Sequence, residues 1–337
     1  MPALLTEITE IVTGLGTLGG PPPEDGLAPA PPPELRNVDP ATWQRLRDAA
    51  AEGLHRAEFL AAWNNGRALL RASDGLRGRV PALVEWKGGH RDPGDLPVPA
   101  DLRIDHVYLV SCKYLSRVLH NASPRSVFER NLSGAQGRRD DADWFDVVAP
   151  AEHQRLYQLV RRTYGGDLEL PEQVAALDGP ARRLLRERIP RDWSPACVQA
   201  WAELAAATSE ASAARWRAGT GGPAERERLL WRLLRLAAAP YFVLGTGVGA
   251  ALRIRVATPW DWRQAFELRA LEVAAETTVQ SRVRWTAEVR GRGAGDERVV
   301  EGHVEIRWSH GRFGGRPEAK VYLDTPHHRV PGYFPLT

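Results

Sequence analysis

The sequence predicts a mixed α/β (α+β) fold: a central sheet flanked by helices, with a helical insertion and a β-rich C-terminal segment. Two observations carry that expectation. The 337 residues are 43% hydrophobic and 26% charged, ordinary usage for a chain that buries a sizeable core. The hydrophobic period also changes along the chain, from helical to strand-like, back to helical over a long block, and finally to strand-like again. Four segments follow: a Pro/Gly-rich flexible stretch over 1–37, an α/β core over 38–142, a helical region over 143–239, and a β-rich region with a basic hairpin over 240–337.

Taken in order, the stretch GLGTLGGPPPEDGLAPAPPPE reads as an extended linker. Gly14, Gly16 and Gly19 match the spacing of a dinucleotide-binding loop, but Pro21, Pro22 and Pro23 stand where the required helix would run. A helix is predicted from Asp39, a good N-cap followed by Pro40, with a break at Asn64, Asn65 and Gly66. Short runs around Val84, in ADLRI and in HVYLVSC read as neighbouring strands, and Ser123-Pro124 opens a further helix. The block from Asp143 to Ala239 is helical, and its Trp201, Trp216 and Trp231 read as core. Strands return in TVQSRVRWTAEVRGR, VEGHVEIRW and EAKVYLD. Gly245, Gly247 and Ala250 form a second glycine-rich match that leads into a strand, so it reads as a hairpin turn.

Composition excludes several classes. No apolar run approaches the roughly 20 residues of a membrane-spanning helix, and MPALLTEITE has no basic region before an apolar stretch, as a secretory signal would. Cys112 and Cys197 are too few for a disulfide framework or a cysteine zinc site, so a cytoplasmic setting is expected. The sequons at Asn121 and Asn131 are irrelevant there. The net charge of +3 says little by itself about a nucleic-acid partner.

The 45 cationic residues include just three lysines, Lys87, Lys113 and Lys320, the pattern of a GC-rich genome that favours arginine codons. All three lie in one local pattern: Glu85-Trp86-Lys87, Ser111-Cys112-Lys113 and Glu318-Ala319-Lys320. Period two puts each oxygen-bearing side chain on the same strand face as its lysine. A carboxylate beside an ammonium suits metal-assisted phosphodiester hydrolysis, with the acid holding Mg²⁺ and the lysine steadying water or the developing charge. Arginine is a poor substitute, being bulkier and never deprotonated. The same pairs also suit a solvated strand face.

The segment ADLRIDHVYLVSCK resembles the PD-(D/E)xK nuclease superfamily, whose fold is restriction-endonuclease-like. In that family an Asp on one strand is followed, after a hairpin, by an acid-x-Lys on the next. Asp101 and Lys113 match those positions, over a resemblance that covers about residues 40–135. On a flat strand the two would lie roughly 40 Å apart, so a hairpin is required, and Asp105-His106 is its expected turn. Ser111 departs from the pattern by standing where the second acid belongs. Glu85 on the preceding strand and Glu129 on the following helix are the two stand-ins, and Glu85 is preferred because strands adjacent in sequence usually pair. Competing frames are Asp74 with Glu85 and Lys87, and Glu305 with Glu318 and Lys320.

The resemblance implies a Mg²⁺-dependent DNA endonuclease of restriction or defence type, acting as a homodimer or beside a partner subunit, with no membrane partner. Asp101 and Glu85 would hold the metal and Lys113 would assist the water. Arg307, His310, Arg312, Arg316 and Lys320, interleaved with Trp308 and Phe313 around a glycine-rich turn, would grip DNA. Alternatively, a chain that kept the fold and lost the acid would bind nucleic acid or scaffold a complex without cleaving. Ser111 and Lys113 do not form a Ser-Lys dyad, lacking the helical turn that joins an S-x-x-K pair. No histidine, His327-His328 included, shows helical metal-ligand spacing.

Overall fold

The computed structural model describes residues 4–23, 26–88, 98–114, 118–130, 142–246, 251–277, 279–293 and 295–337. Gly247, Ala250 and Asn131, named above, lie outside them. The fold is mixed α/β with one mixed and one antiparallel sheet. Two compact units share the chain: one takes Met1–Ser116, Leu236–Ala265 and His327–Thr337, the other Arg117–Arg235 and Phe266–Pro326. These units group the chain differently from the four segments expected. Strands of the expected C-terminal region are split between two sheets, and the helical block shares a unit with four of them.

In chain order, the first unit opens with helix α1, which runs through Leu4–Glu7, a π-helical turn Ile8–Val12 and Thr13–Thr17. Strand β1 (Leu35–Arg36), helices α2 (Pro40–Ala51) and α3 (Arg56–Arg71), and strands β2 (Val84–Trp86), β3 (Leu102–Ile104) and β4 (Tyr108–Tyr114) follow. The second unit begins with β5 (Val118–Ala122). It continues through helices α4 (Trp144–Val148), α5 (Pro150–Tyr164), α6 (Gly179–Arg188), α7 (Pro195–Gly219) and α8 (Pro223–Leu233). Strands β6 (Tyr241–Thr246) and β7 (Ala251–Val256) and helix α9 (Pro259–Ala265) return to the first unit. The second unit is completed by β8 (Phe266–Thr277), β9 (Ser281–Gly291), β10 (Glu297–Arg307) and β11 (Glu318–Leu323), and β12 (Tyr333–Pro335) ends the first.

The first sheet runs β1-β2-β3-β4-β6-β7-β12. Strands β2, β3 and β4 form an antiparallel meander, and β6 then joins β4 in parallel. One face is apolar: Val84, Trp86, Leu102, Ile104, Val110, Cys112, Phe242 and Leu244 are buried in a core with Ile8, Ile11, Val12, Leu46 and Leu69. Alternation puts Glu85, Lys87, Arg103, Ser111 and Lys113 on the opposite face.

Residues 4–17 form helix α1 within the stretch expected to be a flexible linker. Leu4, Leu5, Ile8, Ile11, Val12 and Leu15 recur at helical spacing, and the middle three are fully buried. Its glycines serve helix packing: a Cβ on Gly16 would lie 2.2 Å from the Trp63 carbonyl oxygen, and one on Gly66 would lie 2.1 Å from that of Thr13. Gly66 thus marks a crossing point inside a continuous α3, so the break expected at Asn64-Asn65-Gly66 is absent. The interruption falls earlier, where Gly53 and His55 take left-handed backbone between α2 and α3. Asp39 caps α2 as expected, accepting from the Thr42 amide at 2.9 Å.

The second unit carries an antiparallel sheet ordered β5-β11-β10-β9-β8. Helix α7 packs on β8 and β9, burying Trp285, Val283, Ala287 and Val289. No helix among the described residues is long and apolar enough to cross a membrane.

Candidate functional site

The β3–β4 hairpin turns at Asp105 and His106, whose φ angles of 47° and 59° are both left-handed. Neither is glycine, and the cost is met locally. Asp105 tolerates this conformation, and its carboxylate accepts from the Ala82 and Leu83 amides at 2.9 and 3.0 Å and from Arg79 Nη1 at 2.7 Å. That set ties the hairpin to the loop before β2.

The turn carries Asp101 to β4. Asp101 is only 7% exposed, and its Oδ2 accepts from the Cys112 amide at 2.7 Å and from Ser111 Oγ at 3.2 Å. On its other side the Lys87 amide donates to the Asp101 carbonyl at 2.9 Å, continuing the β2–β3 register. Lys87, Asp101 and Ser111 therefore form one cross-strand row, with Lys113 two residues further along β4. Such a diagonal neighbour stands about 7–8 Å away, in place of the roughly 40 Å of an extended strand. Gly245 lies opposite Lys113 on β6, where a Cβ would come within 2.4 Å of the Lys113 carbonyl oxygen and 3.0 Å of its Cβ. This glycine clears space beside the lysine. Lys87 itself is 9% exposed, far below what a solvated strand face would show.

Glu85 shares that face, but its carboxylate is committed. Arg103, directly opposite, donates Nε and Nη2 to its two oxygens at 2.6 and 2.8 Å, and His106 Nδ1 stands 3.3 Å away. The Arg103 hydrogen bonds hold the Glu85 carboxyl below the usual carboxylate range, against the opposing effect of burial. Glu129 belongs to the second unit and pairs with Arg125 and Arg215. Asp74, of the competing Lys87 frame, pairs with Arg255 at 3.4 Å.

A different acid approaches the Ser111-Cys112-Lys113 strand. Glu10, on the π-helical turn of α1, is buried and accepts from Trp86 Nε1 at 2.6 Å. Burial, followed by the charges of Asp101 and Glu10, pushes the Cys112 thiol well above its ordinary range. Both carboxylates thus act on this one residue. Glu10 was missed because 1–37 reads as a linker; the signal was an acid on an apolar stripe of helical period, where a solvated face would be expected.

The basic hairpin between β10 and β11 departs from its expected form. Phe313 is fully buried and stacks on His153 at 5.8 Å, and Trp308 packs against Phe145, Trp201 and Phe313. These rings belong to an aromatic cluster, with Phe313 wholly inside it and Trp308 half-buried. Arg312 lies 4.1 Å over the Trp193 ring and donates to the carbonyls of Pro190 and Arg191, and burial lowers its pKa. Arg307 stands 3.5 Å from Glu305, His310 3.7 Å from Glu318, and Lys320 opposite Glu305 in the β10–β11 register. Arg316 is exposed. The Glu305, Glu318 and Lys320 frame is therefore part of an ion-paired strand face, with Glu305 also held by Arg282 at 2.9 Å. His327 is partly buried and stacks on Tyr333.

No protein-family model, curated protein or solved structure matches the chain.

Proposed function

We propose that the β3–β4 hairpin is the catalytic centre of a Mg²⁺-dependent DNA endonuclease with a restriction-endonuclease-like core. The observation that carries this reading is the hydrogen bonding of Asp101 to Ser111 and Cys112, which brings an acid from one strand beside an x-Lys pair on the next. The parallel return of the chain to β4 through β6, after an intervening helical stretch, also supports it.

The donors present fit a hard divalent cation. Mg²⁺ takes one or two carboxylates and completes its shell with water and substrate phosphate oxygens. Asp101 and Glu10 would hold it, with Glu10 in the place first expected of Glu85, because both carboxylates act on the same Cys112 of the lysine strand, whereas Arg103 holds both oxygens of Glu85. A bound cation supplies positive charge to the phosphate oxygens as the phosphodiester is attacked. The chain's own groups do the rest. The Cys112 amide and Ser111 hydroxyl fix the Asp101 carboxylate, Lys113 Nζ donates to the attacking water or a phosphate oxygen, and Lys87 adds a second cation on the same face.

The test is cleavage of supercoiled plasmid by the full-length protein with Mg²⁺. Wild type should nick or linearise DNA, while Lys113→Ala and Asp101→Asn should not. Equal activity in wild type and Lys113→Ala would overturn the assignment. The second reading, a binding protein without cleavage, is favoured by Ser111 in the acid's place. It predicts DNA retention by wild type with no cleavage under any divalent cation.

A further inference from the structure

The second unit holds a separate constellation that the hairpin chemistry does not use. Asp143 caps α4, accepting from the Phe145 amide at 3.1 Å, Asp146 lies in the first turn of that helix, and His153 sits on the first turns of α5. One ligand atom from each lies within 4.8 Å of the others, the sole such trio of His, Cys, Asp or Glu among the described residues. The Ala149-Pro150 junction between α4 and α5 folds Asp146 and His153 together, a spacing no single helix would reveal.

We propose that Asp143, Asp146 and His153 form a binding site for a divalent transition-metal cation of the Zn²⁺ class. Two independent observations point to a ligand. The first is the donor set: an imidazole with two carboxylates suits Zn²⁺ and its neighbours, whereas Mg²⁺ and Ca²⁺ prefer oxygen alone. The second is burial: His153 is fully buried, and its Nδ1, 2.6 Å from Asp146 Oδ1, is the nitrogen that faces the carboxylates. A metal there would take the place of the proton now shared between imidazole and carboxylate.

The surroundings suit a cation. Asp143 is buried, burial pushes its carboxyl upward, and Arg182 reaches it at 3.3 Å. Two carboxylates face one arginine, so the trio offers more acidic than basic side chains to a cation. Tetrahedral N and O donors on one Zn²⁺ stand roughly 3.3–3.6 Å apart, so side-chain rotations of about an ångström close the present spread. Phe145, Trp308 and Phe313 wall His153 on its apolar side, and the less buried Asp146 offers the way in. A metal here would staple α4 to α5 and, through Phe313, brace the β10–β11 connection.

The experiment is a Zn²⁺ titration of chelator-stripped, full-length protein by calorimetry, with Co²⁺ as a spectroscopic probe. One saturable site is expected, at least about 10-fold weaker in Asp146→Ala and His153→Gln and unchanged in Asp101→Asn, which separates it from the hairpin. Bound Co²⁺ should give a visible absorption band that Zn²⁺ abolishes, measurable on wild type even where a variant folds poorly. Absence of saturable binding to wild type, or undiminished binding in both variants, would overturn the proposal.

Discussion

The carboxylate of Asp101 takes the place of a main-chain acceptor, receiving the Cys112 amide at 2.7 Å across the β3–β4 hairpin. The acid therefore has a structural role beside the catalytic one proposed for it. The two roles separate by substitution. Asp101→Ala should destabilise the protein by about 1–3 kcal/mol, because it leaves a buried amide unpaired. Lys113→Ala should leave the denaturant midpoint near wild type yet lower plasmid cleavage by about 10²–10⁴-fold. Parallel loss of stability and activity in Lys113→Ala would contradict the catalytic role.

The choice between Glu10 and Glu85 rests on Arg103, which holds both oxygens of Glu85. Cleavage rates measured against Mg²⁺ concentration should show Glu10→Gln strongly impaired and shifted to higher metal demand. Glu85→Gln should stay within a few-fold of wild type. The reverse ranking would return Glu85 to the site.

Glu85 also sets an acid dependence of stability. Its carboxyl is held below the ordinary glutamate range by Arg103, so the unfolded chain binds the proton more readily. The stabilisation is complete above the ordinary glutamate pKa and is lost as pH falls through the lower folded value. Denaturant unfolding at a series of pH values should show wild type losing its advantage over Glu85→Gln across that acidic window, with no change of the difference near neutrality.

At the α1–α3 crossing, Gly66→Ala would drive a methyl group to 2.1 Å from the Thr13 carbonyl oxygen. Separation of the helices should cost about 1–3 kcal/mol, read as a lower melting temperature. A substitution without effect would mean that the two backbones do not meet there.

Phe313 tests the basic hairpin. As a fully buried ring it should cost about 3–5 kcal/mol when cut to alanine. An exposed stacking residue would instead leave stability intact and weaken DNA binding.

Much of the meander was legible. The strands around Val84, Leu102 and Tyr108 carry β-branched and aromatic residues at period two, and the requirement that Asp101 meet Lys113 placed the turn at Asp105-His106 without any glycine. Helix α1 was obscured by composition, since the prolines at 21–23 and 31–33 dominate the first segment while its apolar period ends at Leu18. Strand β8, FELRALEVAAET, is rich in helix formers and is held extended by its long antiparallel pairing with β9, a tertiary effect that local propensity does not carry. The basic hairpin misled for a related reason: Trp308 and Phe313 sit among arginines in sequence, but they point into a core assembled from α4, α5 and α7.

The parallel pairing of β4 with β6 has a consequence for synthesis. The first sheet cannot gain its fifth, sixth and seventh strands until the residues of the second unit's helices have emerged from the ribosome, because β6, β7 and β12 follow them in the chain. Until then the nascent hairpin bearing Lys113 presents an unpaired strand edge, and the long sequence separation makes its closure slow. Ribosome-bound chains should therefore need chaperone protection during that interval, until β6 covers the β4 edge.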